Sequence, residues 1–122
     1  MAVAAVTVTT VQELPMLGDA VLVVGTLAIA PAADTYATNG LALGEAEFRN
    51  KGVLIAGRAP NRMICFGKAG YHYEYNEVTD KLIVRTGAAA AAPLTEMANA
   101  LAIPAALSGD VINFWALFNK LG

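Results

Sequence analysis

A chain of 122 residues and 12.6 kDa supplies one hydrophobic core and no second one. Hydrophobic residues make up 57% of it and charged residues 15%, which excludes the polar, highly charged composition of a disordered chain. A net charge of −2 offers no basic field to a nucleic-acid backbone, so a nucleic-acid partner is not expected.

The apolar surplus has a specific origin. Alanine contributes 25 residues to it, and alanine buries little area per side chain. The large side chains instead gather in strand-length runs over 3–11, 20–30, 51–56, 62–66, 71–76, 81–86 and 111–118. Between them stand Leu14-Pro15, Gly18-Asp19, Ala30-Pro31 through Gly40, Pro60-Asn61, Gly67 through Gly70, Gly87 and Ser108-Gly109-Asp110, all turn chemistry. The pattern predicts an all-β chain: a small single-domain β-sandwich or barrel, jelly-roll-like, over 20–122, preceded by an N-terminal arm or edge strand over 1–19. The longest apolar stretch, 20–33, is interrupted by Gly25, Thr26 and Pro31 and is shorter than a membrane-spanning helix needs, so no membrane partner is expected. No basic residue precedes Arg49, which argues against a secretory leader, and a lone Cys65 fits a reducing compartment.

The clearest local structure is a hairpin from Tyr71 to Arg85. Tyr71, Tyr73 and Tyr75 alternate with His72, Glu74 and Asn76, so phenols and polar groups occupy opposite faces. Leu82 and Val84 fit beneath the tyrosines, Lys81 and Arg85 fit beside Glu74, and Ile83 falls among the charges as a candidate contact residue. The segment 41–48 is long enough for one turn of helix. The alanines at 88–92 are helix formers bracketed by Gly87 and Pro93. Residues 95–101 read as extended loop in preference to a short helix.

Activated groups are scarce. His72 is the only histidine and lacks a companion at metal-ligand spacing, so no metal or cofactor is expected. Cys65 stands between Ile64 and Phe66, the setting of a small buried hydrophobe, and a Cys65–His72 dyad is the best nucleophilic pair available. Glu45 with Glu47, and Glu74, Glu77 and Asp80, are carboxylates close in sequence whose ordinary reading is solvated surface. No phosphate-binding glycine loop or calcium motif occurs. Seven of the eight basic residues fall between 49 and 85, either as solvated strand faces or as a weakly basic surface for an acidic partner. These features predict a chain that is not an enzyme.

From about 21 to 118 the order of segments resembles the head decoration, or cement, proteins of tailed bacteriophages. The resemblance rests on Val24-Gly25-Thr26-Leu27, then Thr35-Tyr36-Ala37-Thr38-Asn39-Gly40, a strand at 52–56, Gly70-Tyr71-His72-Tyr73-Glu74-Tyr75 running into Asp80-Lys81-Leu82, Leu94-Thr95-Glu96-Met97-Ala98-Asn99, and a final strand at 111–118. Asn39-Gly40 stands where Gly-Gly is often found, and the Trp115-Ala116-Leu117-Phe118 ending is bulkier than usual. The resemblance implies a virion structural protein, made in the host cytoplasm, that binds the outer surface of an icosahedral capsid through the major capsid protein. It also implies self-association as a homodimer or homotrimer. A tail or fibre-base component, or a receptor-binding β-module, is the alternative on the same scaffold. The expected interface comprises Tyr36, Leu41, Leu43, Ile83, Phe114, Trp115 and Phe118, since aromatic and large apolar side chains anchor protein contacts.

Overall fold

A computed structural model of the chain describes residues 3–15, 20–30, 34–48, 60–87 and 94–119. The expected strand at 51–56 and the alanines at 88–92 lie outside these residues. The elements in order are β1 (Val6–Pro15), β2 (Ala20–Ile29), β3 (Leu41–Ala42), α1 (Glu45–Phe48), β4 (Arg62–Phe66), β5 (His72–Asn76), β6 (Lys81–Gly87), β7 (Leu94–Glu96), α2 (Ala105–Ser108) and β8 (Ile112–Asn119). All eight strands join one antiparallel sheet in the order β1-β2-β8-β4-β5-β6-β3, with β7 also pairing β6. The sheet curls into a half-barrel, as the all-β reading requires.

The curl separates an inner from an outer face. Val6 opposite Ile29, Val8 opposite Leu27, Val23 opposite Ala116 and Val21 opposite Phe118 point inward and are buried. Phe114 and Phe118 meet Phe48 of α1 edge-on, with centroids 5.9 and 5.1 Å apart, the geometry their ring quadrupoles favour. Phe48 reaches them because Gly44 starts a single helical turn whose Glu47 carboxylate accepts the Gly44 N–H at 2.6 Å, half of a capping box. The N-terminal run is an edge strand and not an arm. Ala4 N donates to Thr35 O, and a bulge between Thr10 and Gln12 resets the alternation before β1 ends.

The hairpin forms in the expected register, with Tyr73 opposite Val84, Tyr75 opposite Leu82, and Arg85 bonding Glu74 at 3.2 Å. Asn76 accepts the Val78 N–H on its side chain and the Asp80 N–H on its carbonyl, and Asp80 closes the turn at φ 55°. Asn39 and Gly40 both take positive φ, 74° and 114°, and Asn tolerates this region better than most other side chains. Gly40 has no such substitute, because a Cβ there would lie 2.7 Å from the Leu82 carbonyl oxygen where β3 docks on β6. Residues 94–101 are extended and then turn, as expected, while the short helix α2 was not legible in its sequence.

Candidate functional site

Several polar groups among the described residues tie remote segments of the chain together. Asp110 is buried and accepts hydrogen bonds from the Tyr73 hydroxyl at 2.7 Å and the Lys68 N–H at 2.9 Å, with further support from the Ala69 and Val111 amides. Burial by itself would raise the Asp110 pKa, but these donors outweigh it and hold the carboxyl below its ordinary range. Tyr36 donates to Glu96 Oε2 at 2.6 Å, the Asn39 N–H donates to the same oxygen at 2.7 Å, and the Thr38 N–H reaches Asn99 Oδ1 at 3.0 Å. Tyr75 donates to Asp80 at 2.9 Å. Burial first, then donation to a carboxylate, pushes the Tyr36, Tyr73 and Tyr75 phenols well above their ordinary value.

The candidate nucleophilic pair is not brought together. Cys65 faces inward opposite Tyr73, and burial pushes its thiol up to about 12, far from a thiolate at neutral pH. His72, opposite Phe66 and Arg85, faces outward, so the Cys65–His72 dyad is split across the sheet. Glu74 pairs with Arg85 and Glu77 with Arg62 at 3.3 Å, which turns part of the basic stretch into neutral pairs. Among the described residues no three His, Cys, Asp or Glu side chains are grouped to hold a metal ion, and no helix is long and apolar enough to cross a membrane.

The candidate site is instead the outer face of the sheet. Its outward residues are Thr7, Thr9, Gln12 and Leu14 on β1, Leu22, Val24, Thr26 and Ala28 on β2, and Asn113, Trp115 and Leu117 on β8. None carries a formal charge. Glu13, opposite buried Val23, belongs to the inner side. At the centre Trp115, 55% exposed, stands between Val24 on β2 and Ile64 on β4, itself 65% exposed. Phe66 continues the patch towards β5, and Leu14 extends it along the edge strand. Beside Trp115 lies an open depression of about 320 Å³ lined by Val24, Gly25, Phe66, Asn113, Phe114 and Trp115.

Of the residues expected at an interface, Trp115 alone is exposed. Tyr36, Leu41, Leu43, Phe114 and Phe118 are buried in the chain's own core, which corrects their expected placement on the surface. Phe114 and Phe118 have inward parity on β8, and β3 turns Leu41 against Leu82. Ile83 lies outward opposite Glu74, as the alternation predicts, but it too is buried and offers no contact surface. Reading the residues alone missed Ile64, Phe66, Leu14 and the outward side chains of β2. The available signal was that the runs 20–30 and 111–118 are apolar at both parities, whereas a strand with one face in water alternates. No family model, curated protein or solved structure matches the chain.

Proposed function

We propose that the chain is a structural assembly protein and not an enzyme: a decoration protein of a tailed-bacteriophage head, made in the host cytoplasm and carried on the outer surface of the virion capsid. Its partners in this reading are the major capsid protein and further copies of itself, with neither nucleic acid nor membrane involved. The observation that supports it is the tryptophan-centred outer face of β1, β2 and β8, uncharged at its described outward positions and continued on β4 by Ile64 and Phe66. Contiguous exposed apolar surface of this kind marks protein contacts, whose centres are depleted in charge and enriched in aromatic side chains. The choice of a phage head as the shell follows from the resemblance of the segment order to decoration proteins.

The test is binding to tailed-phage heads that lack their decoration protein. Purified chain is added and the heads are sedimented. Saturation at hundreds of copies per head, in a fixed ratio to the major capsid protein, is expected. Failure to bind, or saturation at only a few copies per particle, overturns the decoration reading, and the second of these points to a tail or fibre-base position.

A further inference from the structure

We infer that Asn39-Gly40 is a latent modification site, a deamidation-prone bond that the fold holds shut and that converts to aspartyl and isoaspartyl forms only in chains whose turn at 37–40 opens. The inference is independent of the decoration reading, since it concerns the covalent fate of the chain and not its partner.

The sequence supplies the reactivity. Of the seven asparagines, Asn39 is the only one followed by glycine. Deamidation begins when the backbone nitrogen of the next residue gives its proton to a base in solution and attacks the asparagine Cγ. The new C–N bond closes a five-membered succinimide, the Cγ–Nδ2 bond breaks, and ammonia leaves with a proton taken from water. A water molecule then opens the ring at either carbonyl. One opening gives aspartate, and the other gives isoaspartate, with the main chain rerouted through the side chain. Glycine has no Cβ to obstruct the attack, and Asn39 is exposed, so base and water reach it.

The fold withholds the nucleophile. The Gly40 N–H donates to Ala37 O at 3.0 Å, and with Thr38 at negative φ and Asn39 at 74° the residues 37–40 form a type II turn. In such a turn the Gly40 nitrogen eclipses the Asn39 nitrogen, whereas in the succinimide it has to eclipse the Asn39 Cβ. Rotation towards the ring is opposed from outside the turn. The Asn39 N–H donates to Glu96 Oε2 at 2.7 Å, the Thr38 N–H donates to Asn99 Oδ1 at 3.0 Å, and Gly40 packs against the Leu82 carbonyl. All three anchors are remote in sequence, so they exist only in the folded chain.

Conversion to isoaspartate is also one-way for the fold. It lengthens the main chain by a methylene between Tyr36, whose backbone bonds Ala100 and Leu101, and Gly40, where even an added Cβ would lie 2.7 Å from the Leu82 oxygen. The lengthened turn no longer delivers Leu41 opposite Leu82, and β3 loses its place on β6. A converted chain therefore carries a permanent record of having opened.

The experiment holds the purified full-length chain at mildly alkaline pH, natively and in guanidinium chloride, and follows residue 39 by peptide mapping with mass spectrometry. Native chain is expected to convert at least about 30-fold more slowly than denatured chain, because conversion has to wait for local opening. Asn99→Ala, at an exposed position, removes the Thr38 acceptor and is expected to speed native conversion about threefold or more, with an unchanged circular dichroism spectrum. Isoaspartyl chain prepared in denaturant and returned to buffer is expected to unfold at lower denaturant than unconverted chain. Equal conversion of residue 39 in native and denatured chain overturns the inference, as does a folded Asn99→Ala variant that converts no faster than the parent. An isoaspartyl chain with an unchanged unfolding midpoint overturns the claim that conversion is one-way for the fold.

Discussion

The Tyr73 hydroxyl donates to the buried Asp110 carboxylate over 2.7 Å, linking β5 to the turn two residues before β8, 37 positions along the chain. Because Asp110 also accepts the Lys68 N–H, this one carboxylate fixes the β4–β5 connection and the entry to β8 together. A charged acceptor of this kind contributes about 1.5–3 kcal/mol per bond, and more is lost when a buried donor is left unpaired.

Acid should therefore find this site. The Asp110 pKa is depressed in the folded chain, so its contribution is fully present above the unfolded value near 3.9 and is lost as pH falls through the folded value. Urea midpoints measured from pH 6 down to pH 2 are expected to fall steeply below about 4. Asp110→Asn should be less stable at pH 6 and show a flatter acid limb. An unchanged limb in the variant would place the acid sensitivity elsewhere.

Gly67 is held small by the same carboxylate. A Cβ at this position would lie 2.1 Å from Asp110 Oδ2, and the carboxylate cannot swing away without breaking its own hydrogen bonds. Gly67→Ala is expected to cost about 1–3 kcal/mol in thermal or chemical unfolding, as overpacking does. Gly70, with open space around its Cα but φ of 91°, should respond through backbone strain alone.

Alkali tests the three buried phenols. Tyr36, Tyr73 and Tyr75 have raised pKa values, so the stability they confer is intact below the ordinary phenol value near 10 and is lost as pH climbs beyond it. Tyrosinate absorbance should show these phenols ionising only with unfolding, in step with the loss of the circular dichroism signal. Their smooth titration in an intact fold would contradict the hydrogen bonds to Glu96, Asp110 and Asp80.

Adjacent residues on β8 should behave in opposite ways. Phe114 is fully buried against Phe48, and Phe114→Ala is expected to cost about 3–5 kcal/mol. Trp115 is half exposed and contributes cross-strand contacts to Val24 and Ile64, so Trp115→Ala in the isolated chain should cost about 1 kcal/mol or less. Denaturant titration of the monomeric variants at low concentration reads both.

Much of the scaffold was legible because alternation in the Tyr71–Arg85 hairpin states both the faces and the register, and because Asn76 and Asp80 carry their own turn chemistry. The interface was less so. In β8 every position from Ile112 to Phe118 except Asn113 is apolar, so parity alone does not say which ring faces the core. The register against β2 and β4 decides it, sending Phe114 and Phe118 inward and Trp115 outward. Tyr36, Leu41 and Leu43 lie in a segment punctuated like a loop, but Glu96 and the short β3 pairing draw it into the core through contacts that are remote in sequence. The split between Cys65 and His72 likewise follows from their odd separation in register and from no local feature.

Assembly is expected to cover the outer face around Trp115. Oxidative footprinting read by mass spectrometry tests it most directly, comparing dilute chain with the self-associated or head-bound form. Trp115, Phe66 and Ile64 should become protected together, while Val78, 87% exposed at the tip of the β5–β6 turn, keeps its labelling rate. Equal labelling of Trp115 in the free and assembled forms would contradict the account.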